Sequence, residues 1–199
     1  ITPDLEALSR EPVTHDWFAE RSTPLIIGAG GLRQQKDFTT LIRAMAVLRQ
    51  SRAARLLILG RGRQEQRLKA LVTQLGLDDA VAFAGFVPNP YPWLARCELL
   101  ALSSRWEGSP NVLTEALALG TPVVSTDCPS GPREILDHGR YGALVPVGNP
   151  DALARAMAQV LDDPPPPQLL SAAAAEYTQA RNAEHYHRIL AALSGDGDG

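Results

Sequence analysis

Six short apolar runs recur along the chain, and most are separated by a stretch with helical patterning. They are LIIGA (25–29), RLLILG (55–60), AVAFAG (80–85), ELLALS (98–103), PVVSTD (122–127) and GALVPV (142–147). Apolar runs this short, bounded by glycine and polar turns, suit strands buried on both faces. The segments between them repeat at the helical period. In DFTTLIRAMAVLRQ, Leu41, Ile42, Met45 and Leu48 fall on one face, and Asp37 stands where an N-cap belongs. QEQRLKALVTQLG closes at Gly76, PREILDHG closes at Gly139, and DALARAMAQVL follows the sixth run. YPWLARC (91–97) reads as a short helix or turn. Strands alternating with helices predict an α/β fold: a Rossmann-like parallel β-sheet with helices on both faces.

Residues 1–22, punctuated by Pro3 and Pro12, read as an irregular connecting arm, and residues 23–163 as one α/β domain. The tetraproline at 164–167 reads as a stiff extended joint. C-terminal helices are expected from there to residue 193, with a break near Thr178, and the last (179–193) presents Tyr186, Ile189 and Leu190 on one face. An exposed apolar face there would favour self-association. The tail SGDGDG (194–199) reads as disordered.

A formal net charge of −3 over 199 residues gives no nucleic-acid footprint. No apolar run approaches the roughly eighteen residues of a membrane span, and no signal peptide opens the chain. Cys97 and Cys128 lack metal spacing and read as reduced thiols of a cytoplasmic protein. His185 and His187 are two apart, so a helix would point them to different faces.

Ligands of open α/β sheets bind beyond the carboxyl ends of the strands. Here those ends are followed by GAGGLRQQK, GRGR, GFVPN, SSRWEGSPN and TDCPSGPRE. Glycine lets backbone approach a ligand closely, and free amides and helix N-termini favour phosphate. One such loop is an ordinary turn; five on one rim favour a nucleotide-like anion. The dinucleotide fingerprint fails twice, because its third glycine is Arg33 after Gly28 and Gly30, and Glu65 after Gly60 and Gly62. No GK[ST] follows either cluster, so a P-loop is absent as well.

The stretch RWEGSPNVLTEALALG (105–120) holds two acids in apolar surroundings. Ser109 is a candidate N-cap and Pro110 a first helical residue, with the helix ending near Leu119 and Gly120. Glu107 then lies in the loop beside the helix N-terminus. Glu115 lies in the second turn among Val112, Leu113, Ala116, Leu117 and Leu119. A carboxylate in such a place needs donors. Arg105 or Arg133 would make it a structural ion pair, whereas vicinal hydroxyls of a ribose would make it a ligand grip. Spacing leaves both open.

The segment SSRWEGSPNVLTEALALGTPVVSTDCPSGPREIL resembles the signature of the family 4 retaining glycosyltransferases of the GT-B fold, with Glu107 and Glu115 matching its Glu-x7-Glu. LGLDDAVAFAGFVPNPYPWLARCELLALSS and GGLRQQKDFTTLIRAM resemble the segments that precede it, and the likeness covers roughly residues 23–193. The resemblance implies that 23–163 is the nucleotide-sugar-binding domain, the C-terminal half of a two-domain enzyme. It implies that Glu115 binds the ribose hydroxyls and that Glu107 contacts the donor sugar near the reacting centre. Amides of Gly108, Ser109, Asn111 and Val112 would meet sugar or diphosphate, Lys36 would neutralise the diphosphate, and Val87 would lie by the base. Many family members carry Arg where this chain has Gly31; Arg33, two residues on, is the candidate substitute, with Arg61 a further cation on the rim. Arg133 and Glu134 match the motif and are assigned to shaping their loop.

The resemblance further implies retention of the anomeric configuration and no bound metal or cofactor, and the chain has no Asp-x-Asp loop to hold a metal. The expected substrate is a nucleotide-sugar donor, a UDP-sugar first. The expected partner is an N-terminal acceptor domain of the same protein, so this chain is expected to bind donor with little or no turnover. Surface polysaccharide synthesis in bacteria, in the cytoplasm or peripherally at the inner face of the membrane, is the expected setting. Two other readings stand beside it: a stand-alone nucleotide-binding regulatory module, and a sugar-nucleotide epimerase or phosphorylase of similar fold. Glu-x7-Glu with the GPREIL loop argues against the latter.

Overall fold

The computed structural model describes residues 1–20, 22–178, 183 and 187. Its centre is a sheet of six strands: β1 Leu25–Ala29, β2 Arg55–Leu59, β3 Val81–Gly85, β4 Leu99–Leu102, β5 Val123–Thr126 and β6 Ala143–Val145. All neighbours pair in parallel, in the order β3-β2-β1-β4-β5-β6, with Ile26 opposite both Leu56 and Leu99. The six runs read from the sequence are these six strands, and the α/β expectation holds. Successive side chains go to opposite faces. Ile26, Leu56, Ile58, Leu99 and Val124 meet α2 (Phe38–Leu48), α3 (Glu65–Gln74) and α7 (Pro150–Asp162). Leu25, Ile27, Leu57, Leu100 and Val123 meet α4 (Tyr91–Leu94), α5 (Asn111–Ala118), α6 (Pro132–Ile135) and α8 (Pro167–Ala174). With both faces covered, the loop edges are where the sheet can meet a ligand.

The first residues are more ordered than an irregular arm. They form α1 (Leu5–Ser9) and a single 3-10 turn, Asp16–Phe18. Trp17 and Phe18 pack on the second apolar cluster, with the Phe18 ring edge-on to Trp93 at 5.5 Å. Arg55 lies over Trp17 and binds Glu20 at 2.9 Å. Large apolar side chains in the segment demand burial, and they dock it. The tetraproline also departs from a pure joint: Pro167 is the first residue of α8, and it packs against Gly120 at the end of α5. The expected last helix and tail lie outside the described residues, apart from 183 and 187. Among the described residues no helix is long and apolar enough to cross a membrane.

Three loops at the carboxyl edge continue the sheet's hydrogen bonding past its strands. Gly30 N–H donates to Leu59 O at 2.9 Å, Leu32 N–H to Arg61 O at 3.0 Å, and Gly60 N–H to Gly85 O at 2.7 Å. Gly60 has φ +142°, and a Cβ there would collide with the Gly30 carbonyl; one at Gly62 would come within 2.5 Å of Leu32 O. These two glycines are required for backbone-on-backbone packing, which sets the floor of the site. Gly60→Ala should therefore cost roughly 2–4 kcal/mol in urea unfolding. Gly76→Ala, at φ +65° with open space around it, should cost only about 1–2 kcal/mol. Equal losses would contradict this account.

Candidate functional site

A cavity of about 440 Å³ opens at the carboxyl edge of the sheet, lined by residues that follow β1, β2, β3 and β4. The chain crosses over between β1 and β4, the switch point where ligands of such sheets bind. The volume suits a small-molecule ligand.

Lys36 is placed by two loops locked together. Ser103 Oγ donates to Lys36 O at 2.8 Å and to Asp37 O at 3.0 Å. Arg105 Nε donates to Asp37 Oδ2 at 3.1 Å, Arg105 N–H to Gln35 O at 2.7 Å, and Gln35 Nε2 to Trp106 O at 3.1 Å. Asp37, left-handed at φ 41°, caps α2 through the Thr40 N–H and hydroxyl, as its position in the sequence predicts. The Lys36 stem then lies over Gly30, where a Cβ would come within 2.8 Å of Cε. Its Nζ donates to Glu107 Oε1 at 2.5 Å, and Ser104 Oγ reaches the same oxygen at 2.5 Å. Glu107 is thus a buried acid with internal donors, and both of them use Oε1.

Glu115 is placed differently. Neither candidate arginine reaches it: Arg105 is bound to Asp37, and Arg133 donates to both oxygens of Asp127, from Nε at 3.0 Å. The Tyr91 hydroxyl donates to Glu115 Oε1 at 3.3 Å, and this is the carboxyl's one hydrogen-bond partner among the described residues. Burial pushes the Glu115 carboxyl above its ordinary 4.5, and the Tyr91 hydrogen bond offsets this only in part. Tyr91 is raised in turn, by burial first and then by the Glu115 charge. The ligand-free fold therefore keeps this carboxyl protonated to a higher pH than an ordinary glutamate. Glu115's contribution to stability is complete below the unfolded carboxylate range and falls as pH rises through the elevated folded value. The ionised carboxylate has the Tyr91 hydroxyl as its one hydrogen-bond donor among the described residues, and Glu115 lines the cavity.

The start of α5 differs from the sequence expectation. Pro110, at ψ 82°, is the N-cap and Asn111 the first helical residue, so Ser109 does not cap. The fixed proline ring makes the turn, and the Pro110 carbonyl opens the helix by accepting from Leu113 N–H at 2.8 Å. Of the residues singled out in the sequence, Gly31, Lys36, Arg61, Val87, Glu107, Ser109, Asn111, Val112 and Glu115 line the cavity. Arg33 and Gly108 do not. Arg33 is exposed at the start of the 3-10 turn Gln34–Lys36, while Arg61 sits against Gly85 on the rim. Sequence reasoning missed Tyr91 and the two-thirds-exposed Phe86 at the mouth. An exposed aromatic directly after the third strand was a usable signal for Phe86. Nothing in the spacing links Tyr91 to Glu115, 24 residues away. Among the described residues no three His, Cys, Asp or Glu side chains gather as a metal cluster.

Residues 23–163 match the model of the family described as "Glycosyl transferases group 1". The chain belongs to this family. An N-acetylgalactosaminyltransferase of Campylobacter jejuni, which acts on an N-acetylgalactosamine-N,N'-diacetylbacillosaminyl-diphospho-undecaprenol, is 39% identical over 138 residues. That alignment covers 69% of this chain and 37% of the relative. The lipopolysaccharide core biosynthesis glycosyltransferase LpsE of Rhizobium meliloti is 36% identical over 140 residues, 70% of this chain and 40% of the relative. The lipopolysaccharide outer core galactosyltransferase WaaB shares the fold at TM-score 0.78 and 24% identity, over 87% of this chain and 51% of that one. HepE of Anabaena, solved with UDP, does so at TM-score 0.76 and 23% identity, over 98% and 54%. This chain thus spans about two fifths of the length of those curated relatives. Its α/β architecture is that of the GT-B glycosyltransferases.

In this group 1 chain the Lys36–Glu107 pair is mostly out of water, with side chains 17% and 5% exposed. Removing one partner of such a pair strands the other charge. Lys36→Met should cost roughly 3–5 kcal/mol in chemical unfolding at neutral pH, and Lys36→Met with Glu107→Gln should recover much of it. Additive losses would show that the pair is not coupled.

Proposed function

We propose that the cavity is the donor site of a glycosyltransferase: it binds a nucleoside diphosphate sugar and presents the anomeric carbon to an acceptor hydroxyl. The observation that carries this reading is Glu115, an apolar-flanked carboxylate on the cavity wall with a phenol as its partner and both candidate arginines engaged elsewhere. The vicinal hydroxyls of a ribose are two donors at matching spacing, and they would favour the ionised acid that the empty site disfavours.

The remaining groups follow from that anchor. The diphosphate lies toward Gly30, Gly31, Arg61 and the start of α5, where the Asn111 and Leu113 amides are bonded to Ser109 O and Pro110 O and the Val112 amide is left for a ligand. Lys36 has three donors, so it can hold Glu107 and still meet a phosphate oxygen. Oε2 of Glu107 is left for a sugar hydroxyl, which makes this acid a positioning and electrostatic group. Phe86, Val87 and Pro90 flank the base. In transfer, the acceptor oxygen bonds to the anomeric carbon as that carbon's bond to the β-phosphate oxygen breaks. The acceptor proton passes to the departing phosphate. Lys36, Arg61 and the Val112 amide at the start of α5 stabilise the charge that develops there, so no metal ion is needed.

Retention of configuration is assigned from the resemblance of the 103–136 segment to the family 4 enzymes. A uridine donor accords with the UDP bound to HepE, and surface polysaccharide synthesis with the names of LpsE and WaaB. The relatives extend well beyond the matched span, and we assign the main acceptor-holding domain to that further length. The diphospho-undecaprenol acceptor in the Campylobacter relative's name accords with a reaction at the cytoplasmic face of a membrane.

Calorimetric titration with UDP, GDP and ADP in EDTA tests the reading. One nucleotide, expected to be UDP, should bind, and Glu115→Ala should weaken it roughly 10- to 100-fold. Failure of all three to bind, or an unchanged affinity in the variant, would overturn it.

A further inference from the structure

A second cavity, of about 490 Å³, opens beside the first at the carboxyl end of β5. It is lined by Asp127, Cys128, Ser130, Arg133, Glu134 and His138, with the Pro129 and Gly131 backbone. The two cavities share a wall. Glu107 N–H donates to Pro129 O at 3.3 Å. A Cβ on Gly131 would come within 2.6 Å of Pro110 Cδ and 2.8 Å of Gly108 O, so the loop after β5 lies directly on the loop that carries Glu107. The Cys128 thiol registers the proximity, since burial and then the Glu107 charge push its pKa upward.

The chemistry of the lining selects among ligands. Its guanidinium, Arg133, is already bound to both oxygens of Asp127. The other acid, Glu134, makes no side-chain hydrogen bond or ion pair among the described residues, and Ser130 and His138 add a hydroxyl and an imidazole. Two carboxylates stand against one guanidinium that is already engaged, which disfavours phosphate. Carboxylate, hydroxyl and imidazole together match the alternating donors and acceptors of a neutral pyranose. The shape is also fixed tightly. Ser130 and His138 hold positive φ of 64° and 56°, two of the four non-glycine residues that do so among those described. Such backbone persists where its surroundings determine it.

We propose that this second cavity is an acceptor subsite that takes a neutral, hydroxyl-rich sugar ring at the acceptor's reacting end. An acceptor hydroxyl seated there would approach the donor sugar across the wall that carries Glu107. The proposal rests on the donor reading for its role in transfer, but the binding of a sugar ring in this cavity can be tested without it. It makes this chain a contributor to acceptor choice, alongside whatever further domain holds the rest of the acceptor.

The test follows backbone amide NMR shifts of the whole chain with methyl glycosides of glucose, galactose, N-acetylglucosamine and N-acetylgalactosamine, each with and without saturating UDP. At least one glycoside should give saturable, millimolar shifts at Cys128, Ser130, Gly131 and His138. Glu134→Ala should weaken that binding roughly tenfold and leave UDP affinity unchanged, which also reports that the variant is folded. No saturable shift with any glycoside overturns the proposal. So do shifts confined to Gly30, Gly60 and Val112, or perturbation of these amides by inorganic phosphate in place of sugars. If UDP fails to bind while a glycoside still shifts the second cavity, the donor reading falls and the sugar-binding cavity stands.

Discussion

A carboxylate taken out of water must be given hydrogen-bond donors, and the two acids of the 105–120 stretch meet that demand in opposite ways. Glu107 is satisfied from within, by Lys36 and Ser104 on one oxygen. Glu115 has a phenol and an open cavity. This asymmetry organises the edge of the sheet. The satisfied acid holds a lysine in place and joins the loops after β1 and β4. The under-supplied acid stores a preference for a partner that the protein does not contain. Ligand hydroxyls would relieve it, and the fold keeps it because α5 is packed into the apolar layer on both sides of it.

The positions of these groups follow from the sheet. A parallel sheet covered on both faces leaves its carboxyl edge for function, and the β1/β4 crossover places two loops from opposite directions side by side. The glycines there serve two ends, and Gly60 serves both. Gly60 and Gly62 are demanded by loop-on-loop contact. Gly30 and Gly31 line the cavity, and Gly30 also gives the lysine stem its path. A glycine-rich rim is thus partly ligand chemistry and partly carpentry, which a count of glycines does not separate.

The strands and their alternation were legible because burial on both faces writes itself as short apolar runs. The helix cap at Asp37 was legible because it is a local interaction. The helix start at Ser109 was misplaced because the turn depends on the ψ that Pro110 adopts against the loop after β5, a long-range packing effect. Arg105 and Arg133 were candidate partners of Glu115 by type alone; the fold commits each to an aspartate, and Tyr91, which does reach Glu115, arrives from the start of α4, which sequence spacing does not connect to it. The first twenty residues carry Leu5, Trp17 and Phe18, and those side chains were the available sign that the segment docks. Arg33, expected beside the phosphate, does not itself line the cavity, although its side chain lies close to Gly31, which does; Arg61 lines the rim.

The central claim is that Glu115 waits for hydroxyl donors, and its own titration tests this most directly. Carboxyl 13C NMR of the ligand-free chain should show Glu115 titrating above the ordinary 4.5, and saturation with UDP should bring the value down as ribose hydroxyls stabilise the ionised form. A value that stays where it was with nucleotide bound would show that the ligand does not meet this acid, and would contradict the account.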